Sequence, residues 1–478
     1  MTASPDTDSL LITGAQAIMT GLPGAAARST ATALRIVDGL IVEMGNLQPC
    51  PGERVLDASD CVIYPAWVNT HHHLAQSILK GIPGGLDATL TPWLEAVPLR
   101  YRAAFDEGLL RTAARIGLVE LALSGCGTVA DHHYFYWPGM EFDGAAVLFE
   151  EASRLGLRFV LCRGGATCSR DFEGHLSNAL PPEPLADYLD DLSRLARLYH
   201  DPSPRAMRRV VAAPTTLLFS MTPDELRQVA AQARRLGLRL HSHLSETVIY
   251  QQVAGVRHGT TPIDYAASVD WLGEDVWLAH LVKLDPSEIA LLGKTRTGMA
   301  HCPQSNGRLG SGIAPVRALE DAGAMISLAV DGAASNEAAD MLHEAHAAWL
   351  MARARGSHEA LPECAGGRGE QGAGEATVAD VIRWGSAGGA AVLGLEGLGT
   401  LTPGMAADLA IYRLDQPRHF GLHDPAIAPV VSGGATLHVL LVAGREVVRD
   451  GSIPGLDLAA LGAEARAAVQ TVQARLAG

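Results

Sequence analysis

Eight short runs of β-branched or apolar residues, separated by segments with apolar residues at helical spacing, occupy residues 60 to 335. They are Cys61 to Thr70, Gly127 to Asp131, Leu157 to Arg163, Arg209 to Pro214, Leu238 to Leu244, Asp275 to Val282, Thr297 to Cys302 and Ile326 to Asp331. Strands that alternate with helices form a parallel sheet, and eight is the number that closes it into a barrel. The expectation is an α/β chain built on a (β/α)₈ TIM barrel.

Four of the intervening helices are legible as Ala103 to Ser124, Gly144 to Leu155, Pro184 to Tyr199 and Pro223 to Leu236. Pro223 and Asp224 after Thr222 read as a helix start. Residues 9 to 59 and 406 to 452 read instead as short strands, and VDGLIVEMG and VAGREVVRDG each set a tight glycine turn between alternating stretches. The two ends are therefore expected to pair into one small β-sandwich domain. Its N-terminal part is 1–60 and its C-terminal part, with a terminal helix, is 401–478; the barrel is 61–400. A Gly-rich stretch from Ala365 to Gly374 reads as a surface loop before a helix resumes at Val378.

A formal charge of -15 excludes a nucleic-acid backbone or an anionic membrane surface as the main partner, since either demands a basic face. A small neutral or cationic molecule fits better. No segment approaches 18 uninterrupted apolar residues and the start has no leader pattern, so a soluble, cytoplasmic protein is expected. Seven cysteines without CxxC spacing suit reduced thiols.

Active sites of such barrels lie at the C-terminal ends of the strands, and here those ends carry histidine and carboxylate. The first run ends His71-His72-His73, where alternation aims His71 and His73 the same way and His72 away. The fifth ends His241-Ser242-His243 with Glu246 three residues on, the sixth ends at His280, the seventh opens its loop at His301 and the eighth ends at Asp331. A single buried histidine is more often a hydrogen-bonded core residue than a ligand. Histidines and a carboxylate on several strand ends of one barrel mouth instead form a ligand set for Zn(II) or Fe(II), with a position left for water. His72 and His241 read as residues packed behind the ligands, and the His132-His133 pair falls between the two readings.

The segment PAWVNTHHH resembles the PGxVNxHxH opening of the amidohydrolase superfamily, and HSHLSET, HCPQSNGRLGSG and VDGAASN resemble later motifs of its cytosine-deaminase and chlorohydrolase-like branch. The match runs from about residue 10 to 455, with Ala66 standing where the family usually has glycine. The resemblance implies that His71, His73, His243 and Asp331 bind one divalent metal while Glu246 and His280 act on substrate and water. Binuclear members bridge two ions with a carbamylated lysine at the end of the fourth strand. Here that strand ends Ala213-Pro214-Thr215-Thr216 and the lysines are Lys80, Lys283 and Lys294, so one ion is expected, Zn(II) first and Fe(II) second.

Attack on an amino-bearing ring carbon needs hydroxide, a proton for the ring nitrogen and a proton for ammonia. Asp331 is expected to take the proton from water, Glu246 to protonate the ring nitrogen and His280 to hold the hydroxide and the tetrahedral oxygen. HHHLAQSILKGIPGGLDATLTPWL, GTVADHHYFYWPG and RFVLCRGGAT look most like the subgroup that deaminates 8-oxoguanine and isoxanthopterin, the pterin first. A bicyclic oxo-amino ring wants flat walls and carbonyl donors, for which Gln76, Trp93, Tyr134 and Arg163 stand at suitable positions. The rival readings are an 8-oxoguanine or guanine deaminase, a triazine amino- or chlorohydrolase, and a metal-free scaffold barrel. The resemblance also implies a homo-oligomer, a dimer or larger.

Overall fold

The computed structural model describes residues 9–168, 182–359 and 376–477. Its centre is a sheet of eight parallel strands: Trp67–Asn69, Cys126–His133, Arg158–Arg163, Arg208–Ala212, Arg239–Leu244, Val276–His280, Gly298–His301 and Met325–Leu328. The ring closes where Thr70 N–H donates to Leu328 O at 3.2 Å and Asp331 N–H donates to His71 O at 3.1 Å. This is the expected (β/α)₈ barrel. Small and branched side chains fill its interior, among them Val68, Ala130, Val211, Ala279, Ala300 and Ala329. The fifth strand adds no apolar side chain to that cluster; its residues His241 and His243, alternate in register, pair with Trp277 and Ala279 of the sixth.

The first run of the sequence is not one barrel strand. Cys61–Pro65 pairs antiparallel with Leu409–Arg413 in an outer sheet, and only Trp67–Asn69 joins the barrel. The chain changes sheets at Ala66, whose N–H donates to Asp408 O at 3.0 Å while Trp67 N–H donates to Gly125 O at 3.0 Å. Both halves are buried on both faces, so neither hydrophobicity nor period marks the break.

Two outer sheets flank this junction. One takes four strands from the N-terminal segment in the order Leu40–Gly45, Ala33–Val37, Ser9–Thr13, Arg54–Asp57. The other takes six from both chain ends, in the order Arg445–Arg449, Thr436–Val442, Leu409–Arg413, Cys61–Pro65, Ala17–Met19, Arg28–Ser29. They share a core containing Leu10, Ile12, Ile36, Ile63, Leu409, Ile411 and Val439.

Local signals set the helix boundaries. Thr222 and Glu225 form a capping box at the start of Pro223–Arg235, and Gly156 in the left-handed region ends Gly144–Leu155. The helix expected from Ala103 begins later, at Glu107, because Asp106 caps it by accepting from Leu109 N–H at 2.9 Å. The Gly-rich stretch 365–374 lies outside the described residues. Among the described residues no helix is long and apolar enough to cross a membrane.

Candidate active site

His71 and His73 follow the first barrel strand, His243 lies on the fifth, and Asp331 lies three residues past the eighth. The His71 and His73 Nε2 atoms each stand 3.2 Å from Asp331 Oδ1, and His73 Nε2 stands 3.3 Å from His243 Nε2. All four residues are at most 9% exposed.

Backbone carbonyls, which only accept, fix the protons on two of these rings. His73 Nδ1 is 2.8 Å from His132 O and His243 Nδ1 is 2.6 Å from Thr215 O. Each Nδ1 therefore carries a hydrogen, and in the neutral rings the two Nε2 lone pairs face each other across 3.3 Å. Neutral imidazoles repel in that arrangement unless a cation stands between them. Burial pushes His243 well below the ordinary imidazole range, and does the same to His71. Burial lowers His73 too, but Asp331 beside it outweighs this and its net pKa is raised. The carboxyl of Asp331, which burial alone would raise, is held well below its usual range by His71 and His73.

These residues fit a divalent metal. Four ligands about 2.0–2.1 Å from an ion in tetrahedral array stand about 3.3–3.4 Å apart, close to the 3.2, 3.2 and 3.3 Å measured here. His71 Nε2 is buried without a hydrogen-bond partner, as a metal-ligating nitrogen would be. His132 also approaches, forming with His71, His73 and His243 a second cluster of ligating atoms within 4.8 Å of one another; its Nε2, 2.8 Å from Ala213 O, donates to that carbonyl. His72 turns away and its Nδ1 donates to Asp331 O at 2.6 Å.

Two carboxylate neighbours complete the mouth. Glu246 Oε2 lies 3.8 Å from His280 Nε2, and Ser311 Oγ donates to Glu246 Oε1 at 3.3 Å. Asp331 Oδ2 accepts from Ser305 Oγ at 2.6 Å and is 3.2 Å from Ser335 Oγ. His280 Nδ1 meets Asn306 Oδ1 at 2.9 Å, so one short helix, Pro303–Arg308, supports both Asp331 and His280. His280, ending the sixth strand, and Asp331, past the eighth, hold φ of 77° and 60°, in the left-handed region.

A pocket opens over this cluster, lined by His73, Gln76, Trp93, Tyr134, His243, Glu246, His280 and Asp331. Gln76 Nε2 donates to Tyr134 Oη at 3.0 Å, and Trp93 Nε1 donates to Ala334 O at 2.9 Å. A Cβ on Gly332 would fall 1.9 Å from Gln76 Oε1, so glycine beside Asp331 makes room for that amide. A larger cavity, about 780 Å³, lies between residues 149–159 and 442–456. No histidine lines it, so chemistry rather than size selects the site.

Arg163, expected at the pocket, is not among its lining residues. Its guanidinium is bound to Glu183 at 2.5 and 2.8 Å and to Asp191 at 3.1 Å, between the rings of Tyr136 and Tyr188. These partners arrive from a following segment and helix, and no local pattern around Arg163 marks them. Sequence reasoning also missed the pocket residues Thr215, Thr216, Tyr250, Leu90, Leu94, Leu99 and Leu309. Ser305, Asn306 and Ser311 lie within HCPQSNGRLGSG, and that motif was the available signal for them.

The sequence profile of the amidohydrolase family matches residues 62–447. The chain is 60% identical to an isoxanthopterin deaminase from an unknown prokaryotic organism, over 98% of each chain. It is 38% identical to the 8-oxoguanine deaminase of Pseudomonas aeruginosa, over 93% of this chain and 96% of that one. Among solved structures it resembles an amidohydrolase from a Sargasso Sea environmental sample, with 53% identity, a TM-score of 0.84 and coverage of 98% and 100%. It also resembles the zinc complex of atrazine chlorohydrolase from Arthrobacter aurescens TC1, with 28% identity, a TM-score of 0.86 and coverage of 96% and 100%.

Proposed function

We propose, from the premise that this chain belongs to the amidohydrolase family, that it hydrolyses the exocyclic C–N bond of an oxo-amino nitrogen heterocycle, isoxanthopterin first, and releases ammonia. One observation carries the reading: the lone pairs of His73 and His243 face each other at 3.3 Å beside Asp331, an arrangement made for a cation. The substrate class rests on the relative that is 60% identical over nearly the whole chain.

His71, His73, His243 and Asp331 hold one divalent ion in this reading, Zn(II) before Fe(II); the zinc-bound relative supports that order. When bound, such an ion lowers the pKa of a ligating water to near neutrality and so supplies hydroxide without a strong base. Asp331 takes the water's proton. Glu246, at the pocket wall, carries a proton to the ring nitrogen as the oxygen adds to the amino-bearing carbon. His280, oriented by Asn306 at 2.9 Å, stabilises the oxygen of the tetrahedral species. The carbon–nitrogen bond then breaks, and ammonia leaves with a proton relayed through the two carboxylates. Leu90, Trp93, Leu94 and Leu99 line the same pocket and exclude water from it, while Gln76 and Tyr134 offer polar contacts to ring carbonyls. Arg163 has no part in this scheme.

The test is ammonia release across isoxanthopterin, 8-oxoguanine, guanine, cytosine and hydroxylated triazines, with metal content measured on the same protein. The highest kcat/KM is expected on isoxanthopterin, with 8-oxoguanine second. Alkylamine release from a triazine with no turnover of pterins or oxopurines would replace this reading. A protein without stoichiometric metal would end it.

A further inference from the structure

The three imidazoles are not held alike. His73 and His243 each donate Nδ1–H to a backbone carbonyl, but His71 Nδ1 lies 2.7 Å from the ring nitrogen Nε2 of another histidine, His241. The far nitrogen of that ring, His241 Nδ1, lies 2.9 Å from Trp277 O. The Trp277 indole completes a loop, for its Nε1–H donates at 3.1 Å to Thr70 O, the carbonyl immediately before His71. His241 also stacks on the Trp277 ring at 4.5 Å and 17°, and His71, His241 and Trp277 are all 0% exposed.

This chain of contacts has one consistent set of protons for a cation-binding His71. Trp277 O only accepts, so His241 carries its hydrogen on Nδ1 and presents a lone pair at Nε2. That lone pair requires the hydrogen on His71 Nδ1, which leaves the buried, otherwise unpartnered His71 Nε2 as a lone pair beside Asp331 Oδ1. Resting on the metal reading above, we infer that His241 is a positioning residue which selects the ligating tautomer and ring orientation of His71, with Trp277 acting as its anchor. One carbonyl on the sixth strand thereby sets the lone pair of a ligand on the first. Polar partners that orient a ligand in this way are commonly worth about 10–100-fold in metal affinity.

The experiment compares His241→Leu with His241→Gln. The leucine fills the space without an acceptor; the glutamine side chain can return an oxygen near the position of the lost Nε2. Each apoprotein is titrated with Zn(II) in chelator competition and then loaded with Co(II) for its visible ligand-field spectrum, with no substrate present. His241→Leu is expected to bind Zn(II) about 10–100-fold more weakly with an altered Co(II) spectrum, and His241→Gln to recover most of both. Unchanged affinity and spectrum in His241→Leu overturn the inference, as does a glutamine variant as weak as the leucine one, which would mean simple packing. Should His241→Leu fail to fold, the wild-type Co(II) protein decides by proton NMR. A shifted, exchangeable ring N–H assigned to His71 Nδ1 supports the inference and its absence overturns it. Failure of wild-type protein to bind metal at all would instead strike the metal reading, whereas inactivity on every heterocycle would leave this result standing.

Discussion

Arg158, at the start of the third barrel strand, and His71, just past the end of the first, are both almost wholly buried, yet their surroundings are opposite. Arg158 meets Asp408 through two contacts, 2.6 and 3.0 Å, and donates to Arg205 O at 2.6 Å, while Asp408 Oδ1 also accepts from Ala443 N–H at 2.6 Å. Every charge there is matched by protein. His71 keeps a buried nitrogen with no hydrogen-bond partner, aimed together with the His73 imidazole at one carboxylate oxygen. A closed polar cluster joins barrel to outer sheet and needs nothing more. An open one is stable only with something added, and that difference separates architecture from chemistry better than burial or pocket size.

The contrast can be broken at either end. Stripping the ion with a chelator is expected to abolish ammonia release, and one equivalent of Zn(II) or Fe(II) to restore it; metal analysis alongside the assay checks both. Glu246→Gln is expected to keep the metal and lose about two to four orders of magnitude in kcat, the usual range for a general acid–base group. Near-normal turnover would remove Glu246 from the mechanism. At the closed end, Asp408→Ala strands the Arg158 guanidinium and is expected to cost about 3–5 kcal/mol of stability, read by denaturant unfolding, with kcat per folded molecule unchanged.

Two smaller effects sharpen the comparison near the mouth. Glu344 is fully buried and accepts from Gln304 N–H at 3.1 Å and Gln304 Nε2 at 2.6 Å; burial pushes its carboxyl up to about 8 from an ordinary 4.5. The folded protein therefore holds a proton that the unfolded chain releases, and Glu344 lowers stability progressively as pH rises from about 4.5 to about 8. Glu344→Gln is expected to flatten that part of the stability profile. Arg163→Met is expected to lower the unfolding midpoint and leave KM unchanged, because its partners are Glu183 and Asp191 rather than a ligand. A raised KM would return Arg163 to the pocket.

The parts legible in the sequence were those that local chemistry writes directly. Alternating runs announced eight strands, Pro223 and Asp224 after Thr222 announced a helix start, and histidines at strand ends announced a cluster because strand direction fixes which end of a barrel they share. Gln76, Trp93 and Tyr134, expected to meet a bicyclic ring, line the pocket. Arg163 was expected at the pocket on the same reasoning, but it is not among the lining residues. Its position at a strand end is real, but its partners, Glu183 and Asp191, lie 20 and 28 residues away in sequence. The break at Ala66 was hidden because two strands buried on both faces read as one apolar run.

By itself, the order of residues determined the periodicities, the caps, the family motifs and which side chains could ligate a cation. Only the folded chain decided which carbonyl each imidazole faces, that His71 is held through His241 rather than through the backbone, and which buried arginine is already satisfied. The reason is physical: strand and helix signals depend on neighbours a few bonds away. A proton's place on a ring depends instead on an acceptor under 3 Å away in space that can lie anywhere in the sequence, as Trp277 O and Thr215 O do here.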